Sequence, residues 1–395
     1  MSRFGTRTQL LLDAVVVGYF LPIGMLFVGV SRFVREEMDG SEFVVGVATT
    51  TFFVSAIVVR PWAGRVMDRI GRRPFIWPPL IAMAATTLLI PASTASWMVV
   101  VLRLLQGAAG AALYTALAAT ATDIAPPGRR GAAMARLSVM VYVGFAVGPF
   151  VGEYLFDQHH WWLFAAAGGI MALASGLALA LPETGDDHRD AAGAEVPARQ
   201  MMAAVLRPGL AQFTMGFGYA CLVSFLTRYS REVGLGPSGW LFLTFAACTL
   251  VVRAVSGPMG DRVGYAKVAL PGVVCTGIGL ALMATAWDAW VAFPAIALVG
   301  VGYGGCLPAL TALAAERAPE RARAAALGTF FSFNDMGSAT AGPLVGWIAG
   351  WAGFRWAYGT PAIVLVAGAV VAVTLVRQAS VSSATPGRTP RQSLR

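Results

Sequence analysis

The chain has 395 residues, 57% of them hydrophobic and 12% charged, with a formal net charge of +9. A soluble protein carries about 25% charged residues, so half the usual charge cannot cover a water-facing body of this length. Soluble enzymes, nucleic-acid binders and secreted disulfide scaffolds are excluded, and an all-α polytopic membrane protein is left.

The apolar residues fall into blocks of roughly 20, each long enough to cross a hydrocarbon layer about 30 Å thick as a helix. In chain order they predict helices near 10–30, 43–62, 74–92, 97–121, 132–152, 161–181, 206–227, 239–258, 268–287, 290–313, 324–347 and 355–376. The first follows Arg3 and Arg7 without a small-residue cleavage site and is expected to remain as a span. It carries Asp13 about one turn inside, then Tyr19 and Phe20. The second ends at Arg60 and runs into Gly64-Arg65-Val66-Met67-Asp68-Arg69-Ile70-Gly71-Arg72-Arg73. The fourth holds Arg103-Leu104-Leu105-Gln106-Gly107, and the fifth holds Gly144, Gly148, Pro149 and Gly152. The polar stretch from Glu183 to Gln200 has linker composition. The eighth span contains Arg253 and is followed by Gly257, Asp261 and Arg262. The tenth contains Gly300-Val301-Gly302-Tyr303-Gly304-Gly305. This satisfies a dinucleotide-loop pattern, but no strand precedes it, so close helix packing is expected. The eleventh has Asn334-Asp335 near its middle, then Ser338, Gly342 and Pro343.

The surplus charge is an orientation signal. Of the 29 basic residues, the N-terminus, every second loop and the C-terminus hold 21. The alternate loops hold five (Arg32, Arg35, Arg228, Arg231, Arg355), and three (Arg60, Arg103, Arg253) lie inside spans. The positive-inside rule then places both termini in the cytoplasm, which requires an even number of spans and fits twelve. Trp97, Trp161, Trp162, Trp240, Trp287, Trp290, Trp351 and Trp356 mark the outer interface, and Trp62 and Trp77 the inner one. The four cysteines, Cys221, Cys248, Cys275 and Cys306, lie apart in apolar helices and have neither disulfide nor zinc-ligand spacing.

An internal duplication organises the chain. Arg60, Gly64, Asp68, Arg69 and Gly71 match Arg253, Gly257, Asp261, Arg262 and Gly264 at a constant offset of 193. Ala125-Pro126 matches Ala318-Pro319 at the same offset, and Gly148-Pro149 matches Gly342-Pro343 after one inserted residue. The expected organisation is two pseudo-symmetric six-helix bundles, 1–182 and 206–378, joined by a cytoplasmic linker at 183–205 and ending in a disordered cytoplasmic tail at 379–395. Two parallel six-helix halves are a transporter architecture, able to rock about a site at their interface.

The motifs have physical readings of their own. Gly64 and Gly71 permit a tight turn between helices, and Asp68 stands among arginines it can pair with. An ordinary positive-inside loop explains the arginines but not the Asp68 and glycine spacing. Arg103 inside a span costs about 2.5–3.5 kcal/mol on insertion scales, so it faces a polar partner or snorkels toward Trp97. Arg60 and Arg253, near inner helix ends, can also snorkel or serve the loop. Glycines four apart, as at Gly144 and Gly148, allow close helix approach, and Pro149 permits a bend.

On these residues the sequence resembles the major facilitator superfamily over essentially its whole length, and its twelve-helix drug:proton antiporter-like exporters most. The resemblance implies that Gly64, Asp68, Arg69, Gly71, Arg72 and Arg73 form a loop that latches the halves in the outward-facing state. Gly257, Asp261 and Arg262 look like a weaker copy, with Tyr265 replacing a terminal base. It implies that Gly144, Gly148, Pro149 and Gly152 are the antiporter motif, repeated as Ser338, Gly342, Pro343 and Gly346. It also implies a proton-coupling or cavity role for Arg103.

Among the acids only Asp13 and Asp335 lie clearly inside spans, with Glu153 near the outer end of helix five. Asp335 is the first candidate to carry a coupling proton as water access changes, and Asp13 the second. Tyr19, Phe20, Arg103, Gln106, Tyr114, Gln212, Phe213, Phe217, Tyr219, Tyr303 and Asn334 are the cavity candidates. The expected function is proton-coupled antiport, or efflux, of small organic compounds in the cell's inner (plasma) membrane. The expected partners are substrate, protons and the lipid bilayer, the expected state is a monomer, and no nucleic acid, cofactor or metal is expected. Uptake of a metabolite or sugar by symport is the alternative. A polytopic membrane enzyme is the remote one, since His159, His160 and His188 lie in loops and no catalytic cluster appears.

Overall fold

A computed structural model of the chain describes residues 6–126, 130–184, 198–318 and 323–384, and twelve long helices account for most of them. The first six are α1 (Thr6–Arg32), α2 (Glu42–Ile70), α3 (Trp77–Leu89), α4 (Ser96–Asp123), α5 (Arg130–Gln158) and α6 (His160–Ala178). The second six are α7 (Ala198–Glu232), α8 (Ser238–Val263), α9 (Tyr265–Thr285), α10 (Ala289–Arg317), α11 (Arg323–Ala352) and α12 (Arg355–Ala384). Every helix expected from the hydrophobic blocks is present.

α3 is shorter than its block, with a 3-10 turn at each end, while most helices outrun theirs because polar residues extend a span beyond its apolar window. Two expected boundaries move for this reason. α7 starts at Ala198, inside the stretch read as linker, and α12 runs to Ala384, past the expected start of the tail. The rest of the linker, 185–197, and of the tail, 385–395, lie outside the described residues.

Local chemistry sets the helix ends. Ser41 Oγ accepts from Val44 N at the start of α2, and Asp288 Oδ1 accepts from Val291 N at the start of α10, each satisfying an otherwise orphaned donor. α2 ends at Gly71 with φ 100° and α8 ends at Gly264 with φ 93°. Backbone of that hand suits glycine alone. The two glycines are duplicates of one another, so the turn expected at Gly71 is present in both halves, whereas Gly64 and Gly257, expected to share in it, lie inside α2 and α8 and make no turn.

The pairing of helices is also duplicated. α1 packs on α5 and α6 as α7 packs on α11 and α12; α2 packs on α4 as α8 packs on α10; α3 packs on α6 as α9 packs on α12. The halves then meet through α2 against α11 and α5 against α8. Among the described residues, eleven helices are apolar and long enough to cross a membrane. The twelfth, α11, carries the polar run Ser332, Asn334, Asp335, Ser338 and Thr340 along its middle. We call the end where α1 begins and α12 finishes the termini end, and the opposite one the far end.

The small-residue motifs are packing surfaces. A Cβ added to Gly148 would sit 2.4 Å from Leu21 O, and one on Gly144 or Gly152 would crowd Phe20 or Met25, so all three glycines seat α5 against α1. Gly300 and Gly304 likewise press on the backbone of α8 at Phe245 and Thr249.

Candidate functional site: a cavity between the two halves

A cavity lies between the halves, walled by α1, α2, α4 and α5 on one side and α7, α8, α10 and α11 on the other. Its lining is mainly aromatic. Tyr19, Phe20, Phe27, Phe52, Tyr114, Tyr142 and Phe145 come from the first half, and Tyr219, Tyr303 and Phe331 from the second. The rings hold one another in edge and stacked contacts. Phe20 meets Phe145 at 5.2 Å and Tyr114 at 5.8 Å, while Tyr219 stacks on Tyr303 at 5.1 Å. Phe27 and Phe145 both reach Tyr219 across the interface, which joins the halves by an aromatic layer.

Three charged side chains interrupt this lining: Arg60, Asp335 and Arg253. Arg60 Nη2 is 2.9 Å from Asp335 Oδ2, and its Nε donates to the same oxygen at 3.1 Å. This ion pair joins α2 to α11 and therefore one half to the other. Asp335 stands roughly 18 Å along α11 from Arg323, at 1.5 Å per residue, which is membrane depth. Asn334 beside it lines the cavity and is held from behind by Gln212, whose Nε2 donates to Asn334 Oδ1 at 2.8 Å. On the other interface Arg253 donates to the Tyr142 hydroxyl at 3.1 Å and lies 4.3 Å from that ring's centroid.

On the far-end side of the cavity the halves are sealed. A Cβ on Gly46 would fall 2.0 Å from Gly342 O, and one on Gly346 would fall 2.3 Å from Glu42 O, so α2 and α11 touch backbone to backbone. Phe150 meets Trp240 at 5.2 Å, and the buried Glu153 accepts from Gly239 N at 2.6 Å, capping α8 from the opposite half. Ser238 Oγ is 3.0 Å from the same carboxylate oxygen. Outermost, Arg32 reaches Asp157 at 2.7 Å and Glu36 at 2.9 Å, and Arg231 of the second half reaches Glu36 at 2.7 Å and Asp157 at 3.2 Å. Glu42 stands between Arg35 at 3.4 Å and Arg228 at 3.6 Å. Toward the termini end, a Cβ on Gly257 of α8 or on Gly328 of α11 would meet nothing within 4 Å.

The structure brings together some of the residues singled out by sequence and separates others. Tyr19, Phe20, Tyr114, Tyr219, Tyr303, Asn334 and Asp335 line the cavity. Arg103 and Gln106 do not, which corrects their expected place on the wall. They are buried behind α2, where Arg103 donates to Gln106 Oε1 at 2.8 Å and to Thr49 O at 3.2 Å, and Gln106 donates to Thr87 Oγ1 at 3.0 Å. A separation of three residues on one helix fixes their mutual contact but not the face they present. Gln212, Phe213 and Phe217 also sit behind the wall, against α11. Asp13 is remote from the cavity. It forms an ion pair with Arg136 between α1 and α5, near the termini end.

In the loop expected to latch the halves, Arg72 and Arg73 turn inward to their own half. Arg72 Nε is 3.4 Å from Asp123 at the end of α4. The backbone N–H of Arg72 donates to Glu183 at 2.5 Å, that of Arg73 at 3.3 Å, and the Arg73 guanidinium donates to Leu179 O. The side chains of Asp68 and Arg69, and the surroundings of Gly64, lie outside the described residues. In the second copy Asp261 accepts from the Tyr265 hydroxyl within its own half, and Arg262 is exposed. Sequence reasoning missed the cavity role of Arg60 and Arg253 and the far-end lock. The available signal was the complement of Arg32, Arg35, Arg228 and Arg231 to Glu36, Glu42 and Asp157 in the same outer segments.

Comparison with known proteins agrees with this architecture. The family model of the Major Facilitator Superfamily matches residues 12–236 and 208–394. An uncharacterized transporter of this type from Salmonella typhimurium is 26% identical over 368 residues, spanning 91% of this chain and 94% of its own. Among solved structures, a variant of the nucleoside transporter NupG superposes with a TM-score of 0.76 at 13% identity, covering 93% of this chain and 99% of its own. A bacterial homolog of the human lysosomal transporter Spinster, in an inward-facing and unoccupied conformation, also gives 0.76, at 15% identity over 94% of this chain and 97% of its own. The twelve helices, the duplicated halves and the cavity between them belong to a multi-pass membrane transporter, and the chain is a member of the Major Facilitator Superfamily.

Proposed function

We propose that the protein is a proton-coupled secondary transporter that exports small amphipathic organic compounds by alternating access. The observation that carries this reading is the Asp335–Arg60 ion pair. It is the point at which a titratable group faces the cavity and also ties one half to the other. Protonating Asp335 removes the attraction between α2 and α11 at membrane depth, so loading a proton and loosening the halves become one event. We take the membrane to be the cell's inner one; the positive-inside rule favours a cytoplasmic termini end, and with the far end sealed the cavity then faces inward. At an assumed driving force of about 150 mV, one proton supplies roughly 3.5 kcal/mol, enough for a solute gradient of a few hundredfold. Gly144, Gly148, Pro149 and Gly152 resemble the antiporter motif of exporters, which favours the outward direction.

The test is substrate-dependent proton flux in reconstituted vesicles for wild type and Asp335→Asn. We expect the variant to lose the flux, and an unchanged flux eliminates the assignment. Uptake by symport is favoured by one feature. The cavity carries two guanidiniums against one carboxylate, so an anionic solute and a proton on Asp335 assist one another's binding. Right-side-out and inside-out vesicles under the same imposed pH gradient separate the two directions.

A further inference from the structure

The two cavity arginines occupy duplicated positions but meet different partners. Arg60 on α2 faces a carboxylate from α11, whereas Arg253 on α8 faces a phenol from α5. Among the described residues no acidic side chain forms an ion pair with Arg253, and its Nε, shielded from water, has no hydrogen-bond partner. Tyr142 accepts from Arg253, which leaves its own hydroxyl hydrogen free to donate. At this point the wall therefore offers a guanidinium and a phenol O–H, both donors, beside an uncompensated positive charge. Close by, Phe145 stands 6.2 Å from Tyr142 and 6.2 Å from Tyr219, which stacks on Tyr303.

Such a surface discriminates by charge and by shape. A cation is repelled by the surplus guanidinium, and a small inorganic ion leaves the aromatic lining unused. An aromatic acid uses both features: its acidic group offsets the Arg253 charge and accepts from the Tyr142 hydroxyl, and its ring lies against Tyr219 and Phe145. Resting on the reading of this cavity as the transport site, we propose that Arg253 and Tyr142 form the subsite for the acidic group of an aromatic organic anion. The duplication supplies the logic. At one seam the opposite half supplies an acid to neutralise the arginine, and at the other the cargo takes that place.

The test is binding rather than transport, so that it stands apart from the transporter reading. Purified full-length protein is titrated calorimetrically with three probes that share one ring system: 1-naphthoate, 1-naphthamide and 1-naphthylmethylammonium. We expect 1-naphthoate to bind about tenfold or more tightly than the amide, about 1.4 kcal/mol, and the ammonium to bind most weakly. Arg253→Gln erases the preference for the acid and leaves amide binding in place; Arg253→Lys retains part of the preference, and Tyr142→Phe reduces it by a smaller factor. If Arg253→Gln does not fold, the wild-type ranking and the other two variants decide. The proposal is overturned if the amide or the ammonium binds wild type as tightly as the acid, if no probe binds, or if Arg253→Gln keeps the preference. Vesicles that show no counterflow of 1-naphthoate, with the binding preference intact, contradict the transport reading and leave the subsite standing.

Discussion

The two seams that join the halves descend from one duplicated arrangement, yet they are built differently. The α2–α11 seam is a backbone contact: Gly46 against Gly342 and Gly346 against Glu42 leave no room for a side chain, and the seam ends at the Arg60–Asp335 ion pair. The α5–α8 seam is a side-chain contact. Phe150 lies on Trp240, Glu153 caps α8, and the seam ends at Arg253 against Tyr142. The glycines that α11 spends on the opposite half are used on α5 for its own half, against α1. A glycine repeat thus states that two helices come close but not which two. One seam is a stiff hinge carrying the titratable pair, and the other is a softer clasp beside an unpaired charge.

The largest expected effect comes from filling the glycine contact. In Gly342→Val the new Cβ would lie 2.2 Å from Gly46 O, and with backbone on both sides the overpacking costs about 3 kcal/mol. The far-end seal should be lost and transport should fall at least about tenfold, with folding retained, as read by transport rate and by cysteine cross-linking at the far end. Gly148→Val serves as the contrast, because it strikes the α1–α5 contact within one half and should lower thermal stability. Equal behaviour of the two variants contradicts the distinction drawn between the seams.

The next effect concerns the ion pair. Asp335→Asn leaves Arg60 without its acid, and breaking a buried pair costs about 3–5 kcal/mol, which access to a watery cavity reduces to about 2–3 kcal/mol. The double variant Arg60→Gln with Asp335→Asn should recover most of the lost thermal stability. Additive losses in that double-mutant cycle show that the pair does not act as a unit.

On the softer seam, Glu153→Gln keeps the shape of the cap and removes its charge, which weakens far-end closure by about 1–2 kcal/mol. The expected readout is faster modification of a cysteine placed at Phe150, and an unchanged rate discards the cap as a lock element. The smallest effect belongs to the outer rim. Arg231→Ala removes ion pairs in which its own side chain is 39% exposed, and such pairs contribute below about 1 kcal/mol and weaken in salt. A larger change in closure, or one insensitive to salt, shows that the rim carries more of the lock than its exposure allows.

Much of this arrangement was legible in the sequence, because the two signals that governed it are long. Hydrophobic blocks marked twelve helices, and the offset of 193 paired Gly71 with Gly264, two positions that share the same left-handed backbone. The cavity was legible in part. Tyr19, Tyr114, Tyr303 and Asp335 are polar or aromatic residues in spans and do line it. Arg60 and Arg103 look alike in sequence, each an arginine inside a span. What separates them is a partner distant in the chain: Asp335, 275 residues away, draws Arg60 into the cavity, whereas Gln106, one turn on, keeps Arg103 behind it. Local pattern signals the cost of burying a charge and is silent about the direction in which that charge faces. The far-end lock showed in the sequence only as complementary charge in the outer segments, since its acids and bases come from both halves and only the docking of the halves assembles them.

The central claim is that the state of Asp335 sets which end of the molecule is closed. Its most direct test is a pair of spin-label distances across the halves, in vesicles, for wild type and Asp335→Asn. One pair joins Phe43 on α2 to Trp240 on α8 at the far end, and the other joins Ile70 on α2 to Val263 on α8 at the termini end; all four side chains are exposed. With the carboxylate neutralised, the account predicts that the first distance lengthens while the second shortens. Distances that move in the same direction, or that match wild type at both ends, contradict it.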